Sequence, residues 1–361
     1  MNDLSNEYRL LQEFYKAARE RLSDGVWDYL IGGAESETTL RRNRAAFDGV
    51  AFRPRVLRNV DEVDVSTTLL GHPSRIPVLL APIGSLQDFH PDGGAAVARA
   101  ASEFGVISML SSVSHPGLEA TAAASDGPKI FQLYVRGDQN WVEDRIRRAV
   151  DCGYSAFCFT VDLDYYAKRE RDIAKRYVTT ARKAAAKNED FQRRFSWSDI
   201  ARIRDRFDIP LIIKGIATAE DALIAVEHGI EVVYVSNHGG RQLDHGRGAL
   251  DVLPEVVDAV AGKARVFIDG GVLRGTDVVK AMALGADAVG IGRLHGFALA
   301  AAGEPGVVRM LEILEEEIRA ALGMLGATRW DEIDQSYLHA GAPRVYEPGL
   351  GSAYPLIEAG Y

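Results

Sequence analysis

Cysteine is almost missing from this chain: Cys152 and Cys158 are the only two in 361 residues. They cannot supply a disulfide framework or a multi-cysteine metal site, so two reduced thiols in a reducing compartment are expected. Positive charge is also short. Lysine and arginine number 42 against 51 aspartates and glutamates, a formal net charge of −9. That balance argues against a general nucleic-acid or anionic-membrane binder, while leaving room for a local basic patch that attracts a small anion. Long apolar runs are lacking too. No stretch approaches the roughly 18 consecutive apolar residues of a membrane span. The opening MNDLSNEYRL has no basic segment followed by an apolar one, so no signal peptide is expected. The absences together predict a soluble, cytoplasmic protein without a membrane or nucleic-acid partner.

What is present is a repeating pattern. Hydrophobic residues make up 47% of the chain and charged ones 26%, ordinary values for a globular protein. Short apolar runs recur at 76–82 (IPVLLAP), 106–112 (VISMLSS), 129–135 (KIFQLYV) and 156–162 (AFCFTVD). Four more follow at 210–215 (PLIIKG), 232–237 (VVYVSN), 265–271 (RVFIDGG) and 288–293 (AVGIGR). Each is nearly continuous in Val, Ile, Leu and Phe, as parallel strands buried on both faces require. Amphipathic, Ala-rich segments such as WVEDRIRRAVDCG and AEDALIAVEHG lie between them and close on Gly, a common helix stop. Thr218 and Thr276 stand where helix N-caps belong. Eight β-then-α units predict an α/β fold, a (β/α)8 TIM barrel. The rival, a doubly wound open sheet, usually carries a glycine-rich turn after its first strand, and APIGSL is no such turn. The expected organisation is one barrel domain over 1–361. Residues 1–60 form a helical lid and extension, 163–200 an active-site loop after the fourth strand, and 325–361 a C-terminal wrap. The Lys/Arg run of 163–200 reads as a solvated, mobile loop.

In such barrels the polar residues at strand C-termini are the site candidates. Here they are Gly84, Ser111, Gln132, Tyr134, Thr160, Asp162, Lys214, Ser236, His238, Arg241, Asp269, Gly270, Gly271, Gly292 and Arg293. The last two strands end in DGG and GR, where backbone N–H groups can approach a phosphate closely and Arg293 adds charge. Lys214 ends an apolar strand, a costly place for an ammonium without a partner. It fits a Schiff-base lysine, an ion pair, or a positive charge set against an electron-rich cofactor. In SNHGGRQLD a base, a flexible glycine pair and a cation crowd together, the composition of a site that holds an anion beside a proton acceptor.

SNHGGRQLD, with FQLYV, TVD, IKG, DGGVLRGTD and IGR in this order, resembles the FMN-dependent L-2-hydroxy acid oxidases and dehydrogenases. Glycolate oxidase, lactate oxidase, lactate monooxygenase and mandelate dehydrogenase belong to that family. The resemblance spans about residues 10 to 335 and implies a TIM barrel that binds FMN and oxidises an L-2-hydroxy acid to a 2-oxo acid. It implies oxygen or a quinone-type compound as the acceptor and a homo-oligomer, commonly a tetramer. A decarboxylating monooxygenase, or a relative acting on a modified peptide or amine, are the alternatives it leaves. Carried over by motif, His238 would be the base and Asp162 its partner, Arg169 and Arg241 would grip the substrate carboxylate, and Tyr29 and Tyr134 would offer hydroxyls. Gly84, Ser111, Gln132, Thr160, Lys214, Ser236, Asp269, Gly270, Gly271, Gly292 and Arg293 would surround FMN. No metal is implied. Three departures stand out. Leu273 replaces the family's usual arginine in DGGVRRGTD, which predicts one phosphate contact fewer. Val113 replaces the bulky tryptophan of glycolate oxidase, and LDYY at 163–166 replaces a commoner Pro-containing stretch, so room for the substrate side chain should differ.

Overall fold

Every one of the eight apolar runs forms a strand. In chain order they are β1 (Val78–Leu80), β2 (Ile107–Ser111), β3 (Lys129–Leu133), β4 (Ala156–Thr160), β5 (Leu211–Ile216), β6 (Val232–Val235), β7 (Arg265–Ile268) and β8 (Ala288–Ile291). All neighbours pair in parallel, and β8 closes back on β1 to complete the barrel. This is a computed structural model, which describes residues 4–184, 190–344 and 352–357. The strands are shorter than the apolar runs that signalled them. Pro77 and Pro82 bracket β1, and proline has no N–H to donate to a ladder.

The barrel interior is filled by side chains from alternate strand positions, among them Leu79, Met109, Ile130, Cys158, Ile212, Tyr234 and Phe267. Leu69 and Leu70, on a small hairpin of Thr67–Leu69 and His72–Ser74, join the same cluster and plug the barrel at the start of its strands. Outside, the crossover helices bury one stripe each. In Gln139–Asp151 the buried Val142, Ile146 and Ala149 follow helical spacing, and Asp138 caps the first turn by accepting from the Trp141 N–H at 3.0 Å. Thr218 caps Ala219–Glu227 as expected. Thr276 does not cap the next helix, which begins a residue earlier. Arg274 occupies the cap, and the Asp277 carboxylate serves the orphan N–H groups of Leu273 and Arg274.

Three N-terminal helices precede the barrel: α1 (Leu11–Arg21), α2 (Asp24–Ile31) and α3 (Thr38–Asp48). α1 packs on the long closing helix Arg293–Leu325, with Tyr15 edge-on to Phe297 at 5.3 Å. That closing helix is broken at Ala302 and Gly303. α2 and α3 instead reach the cavity at the strand C-termini, to which they contribute Tyr29 and Arg44. After the barrel, Leu338–Ala340 pairs antiparallel with Val50–Phe52, and Tyr354 is buried with its hydroxyl donating to the Leu273 carbonyl. The rest of the expected wrap, 345–351 and 358–361, lies outside the described residues.

Candidate active site

At the C-terminal ends of the strands a cavity of about 550 Å³ runs from the β1 turn (Ala81–Ser85) round to the β8 turn (Gly290–Arg293). Tyr29, Gly84, Tyr134, Thr160, Arg169, Lys214, His238, Arg241, Asp269, Gly270, Gly271, Gly292 and Arg293 line it. The remaining expected site residues stand just behind this wall. Asp162 touches His238, Ser236 touches Lys214 and Asp269, and Ser111 and Gln132 sit opposite each other on β2 and β3.

His238 follows β6 with φ +58°, a left-handed conformation that a residue with a Cβ rarely adopts. Its backbone N–H donates to the Ser236 hydroxyl at 3.1 Å. The strained turn aims the ring inward: Nδ1 lies 2.9 Å from Asp162 Oδ1, and Nε2 lies 3.1 Å from the Tyr134 hydroxyl. With Nδ1–H donating to the carboxylate, Nε2 is left as the acceptor facing the cavity. Asp162 needs room to make this contact, and Gly215 in β5 supplies it. A β-bulge there shifts the β5–β6 register, Gly215 has φ +116°, and a Cβ on it would come within 2.9 Å of the Asp162 side chain. Burial opposes ionisation of Asp162, but His238, its hydrogen bond and Lys214 hold the carboxyl below its usual range. Burial, reinforced by Lys214 and Arg169 and opposed by Asp162, lowers His238 below the ordinary imidazole value. The ring is therefore neutral at pH 7 and able to take a proton.

Lys214 resolves its three readings by geometry. Its Nζ donates to Ser236 Oγ at 2.7 Å and pairs with Asp269 at 3.0 Å, and Ser236 in turn donates to Asp269 at 2.6 Å. Burial alone would lower its pKa, yet Asp269 and Asp162 raise it. An amine whose proton two carboxylates favour is a poor Schiff-base nucleophile; paired with Asp269, it places an ammonium at the cavity floor.

The arginines divide. Arg293 donates to the carbonyls of Ile31, Gly32 and Gly239, which fastens the end of α2 to the turn after β6. Arg241 donates to the carbonyls of Tyr29 and Gly32 and lies over the Tyr29 ring at 4.7 Å. Arg169 is buried, its Nε has no hydrogen-bond partner, and its guanidinium lies 4.4 Å over the Tyr166 ring. A buried guanidinium with an open donor has the chemistry to take a carboxylate. Further unpartnered polar atoms sit at the strand ends: both side-chain polar atoms of Gln132 and the Thr160 hydroxyl are buried without a hydrogen bond. Arg274 does not stand in for the missing arginine at 273, because it pairs with Glu317 at 3.0 Å.

The connection after β4 is more ordered than its composition suggested. It carries short helices at Glu170–Ala174, Thr180–Ala184 and Asp190–Arg194. Arg169, Asp172, Thr179 and Gln192 are buried, and Arg171 pairs with Glu37 at 2.6 Å. Residues 185–189 of this expected loop lie outside the described residues. Gln192, a residue that sequence reasoning missed, receives the Val135 N–H at 2.8 Å and donates to the Thr160 carbonyl at 3.2 Å, tying the loop to the ends of β3 and β4. Gln242 does similar work, donating to the carbonyls of Asp162 and Tyr165. Asn43 and Asn237 exchange amide hydrogen bonds of 2.9 and 2.7 Å and lock α3 to the β6 turn. Asp244 caps α3, accepting from the N–H groups of Thr38 and Thr39. His245 beside it has an exposed side chain, and its carbonyl takes a hydrogen bond from Arg42.

A parallel barrel that gathers an imidazole, its carboxylate partner and buried arginines around one cofactor-sized cavity has the make-up of an enzyme. Its cavity has the size and the polar groups of a small-molecule site. The model of the FMN-dependent dehydrogenase family matches residues 18–190 and 177–340, and the chain belongs to that family. Glycolate oxidase 1 of Oryza sativa subsp. indica is 38% identical, the alignment covering 96% of this chain and 99% of that protein. Glycolate oxidase 3 of Arabidopsis thaliana is 40% identical over 91% and 95%. Among solved structures, mandelate oxidase with (S)-2-phenylpropionate superposes with a TM-score of 0.86 at 37% identity, covering 94% of this chain and all of that one. A soluble mutant of the membrane-associated (S)-mandelate dehydrogenase from Pseudomonas putida gives 0.86 at 33%, covering 91% and 99%.

Proposed function

We propose that the chain oxidises an L-2-hydroxy acid to the 2-oxo acid with FMN, and that the residues named above divide the work. The observation that carries this reading is His238, held between Asp162 and Tyr134 and facing a cavity that also contains the open Arg169. Arg169 and Arg241 bind the substrate carboxylate, and Tyr29 and Tyr134 flank it. Neutral His238 accepts the hydroxyl proton at Nε2, and Asp162 stabilises the imidazolium that forms. The donor set suits FMN: the unpaired Gln132 amide and Thr160 hydroxyl match the mixed donor and acceptor edge of a flavin ring. Ser111, Ser236 and Lys214 would lie along that ring, with Asp269, Gly270, Gly271, Gly292 and Arg293 toward the ribityl phosphate. FMN supplies the acceptor for the two electrons that leave the substrate. The fixed charge of Lys214 stabilises negative charge that develops beside it.

Gly84 lines the wall beside Tyr29, whose hydroxyl donates to its carbonyl at 3.0 Å. Similarity to proteins named glycolate oxidase supports oxygen as the proposed acceptor, with a quinone-type compound as the alternative. A decarboxylating course would release carbon dioxide and the shortened acid. Peroxide with 2-oxo acid in equal amounts is the expected outcome of an aerobic assay on the L enantiomer, and carbon dioxide in place of peroxide contradicts it. We further propose a cytoplasmic homotetramer. Free Cys152 and Cys158 suit a reducing compartment, and no helix among the described residues is long and apolar enough to cross a membrane.

A further inference from the structure

The cavity of this acidic protein is strongly cationic. Eight lysine and arginine side chains line it against two carboxylates, Asp164 and Asp269. Arg44 is neutralised by Asp277 at 2.6 Å and Lys214 by Asp269 at 3.0 Å. On the reading above, Arg293 faces the cofactor phosphate, and Arg169 with Arg241 holds the substrate's carboxylate. Three remain: Arg136 is engaged by an interaction of its own, while Arg182 and Lys183 at the mouth have no ion-pair partner among the described residues.

Arg182 is not simply turned to solvent. Its guanidinium lies 4.0 Å over the Tyr166 ring, the ring that Arg169 covers at 4.4 Å. Two guanidinium groups gathered on one half-buried tyrosine repel each other, and Arg241 crowds the same region from the other side of the cavity. The carboxylates nearby do not discharge the group. Asp172 is buried and raised by desolvation against the pull of Arg241, Arg169 and Arg182, while Asp164 is exposed and also raised by desolvation. The arrangement has a direction. Arg169 sits deep, Tyr166 bridges outward, and Arg182 and Lys183 stand at the rim, with Thr179 and Val178 along the same wall. Val113 and Leu163 leave the space between open to a side chain.

We infer that the substrate is a 2-hydroxy acid whose side chain ends in a second carboxylate, which Arg182, assisted by Lys183, binds at the mouth. The inference rests on the proposed 2-hydroxy acid oxidation and leaves the chemistry at the hydroxyl-bearing carbon unchanged: that carbon loses hydrogen and two electrons, the hydroxyl loses its proton to His238, and the distal carboxylate takes no part. It assigns to the loop after β4 the selection of substrate.

The test compares matched acids on the flavin-loaded enzyme: L-2-hydroxyglutarate against L-2-hydroxypentanoate, and L-2-hydroxyadipate against L-2-hydroxyhexanoate. For at least one pair, kcat/KM of the diacid is expected to exceed that of the monoacid by about tenfold, the scale of one charge-assisted contact. Arg182→Gln should bring the ratio to within roughly twofold of unity, and Arg182→Glu should invert it, since like charges then face each other. Visible flavin absorbance of each variant reports that it is folded and loaded. A wild-type ratio at or below one in both pairs, or a ratio unmoved by Arg182→Gln, overturns the inference while oxidation of the monoacids leaves the function standing. If none of the four acids reduces the flavin, both fall together.

Discussion

His238 shows how much a single residue depends on its neighbours. Its left-handed backbone costs of order 1 kcal/mol, and the turn persists because Ser236, Asp162 and Tyr134 all hold it. Because burial with Lys214 and Arg169 lowers its pKa below the ordinary 6.5, the neutral, proton-accepting form is depleted only in acid. The kcat/KM profile should therefore rise with pH and reach its plateau by neutrality, with a midpoint below 6.5. Arg169→Met removes a nearby positive charge, so the midpoint should move upward while KM for the acid rises. Asp162→Asn withdraws the charge that stabilises the imidazolium and should lower kcat by about 10²–10⁴. At Gly84 an added Cβ would come within 2.8 Å of Val113 Cγ2. Gly84→Ala is expected to shift Val113 and change the rate of flavin reoxidation by oxygen more than the rate of reduction, which stopped-flow traces of the two half-reactions separate.

The elements differ in how far they could be read in advance. All eight strands were legible because a strand buried on both faces must be apolar throughout, and the eight runs recur between helical segments. Their last residues were legible as site candidates because a barrel presents strand ends on one face. The hairpin whose Leu69 and Leu70 plug the barrel was not, since two leucines beside a turn say nothing about which cavity they fill. Gln192 and the Asn43–Asn237 pair were equally hidden. An amide has no signature until folding brings a distant partner to it, and these partners lie 32 or more positions away. The connection after β4 was legible only in its solvated charges, for a related reason. Its charges are the visible feature, whereas its order comes from a few buried residues. Gln192→Ala leaves the Val135 N–H and Thr160 carbonyl without a partner and should destabilise the loop by about 1–3 kcal/mol. The expected sign is faster proteolysis within 163–200 and a higher KM, with strand-core hydrogen exchange unchanged.

At the scale of the whole molecule, an acidic surface encloses a cationic cavity, and that contrast organises the account. On the proposed reading, a bound phosphate and a substrate carboxylate would supply the negative charge that faces the buried arginines, so ligand and fold would stabilise each other. Removing FMN should lower the thermal midpoint, by an amount that corresponds to about 2.7 kcal/mol at a hundredfold excess over Kd. High salt should weaken substrate capture. The most direct trial of the central claim is anaerobic mixing of the yellow holoenzyme with a panel of L-2-hydroxy acids, mono- and dicarboxylic, followed at the flavin's visible band. The account predicts bleaching with at least one L acid, no bleaching with its D enantiomer, and loss of bleaching in His238→Ala with the flavin still bound. A flavin that stays oxidised throughout, or a His238→Ala variant that bleaches at the wild-type rate, would contradict it.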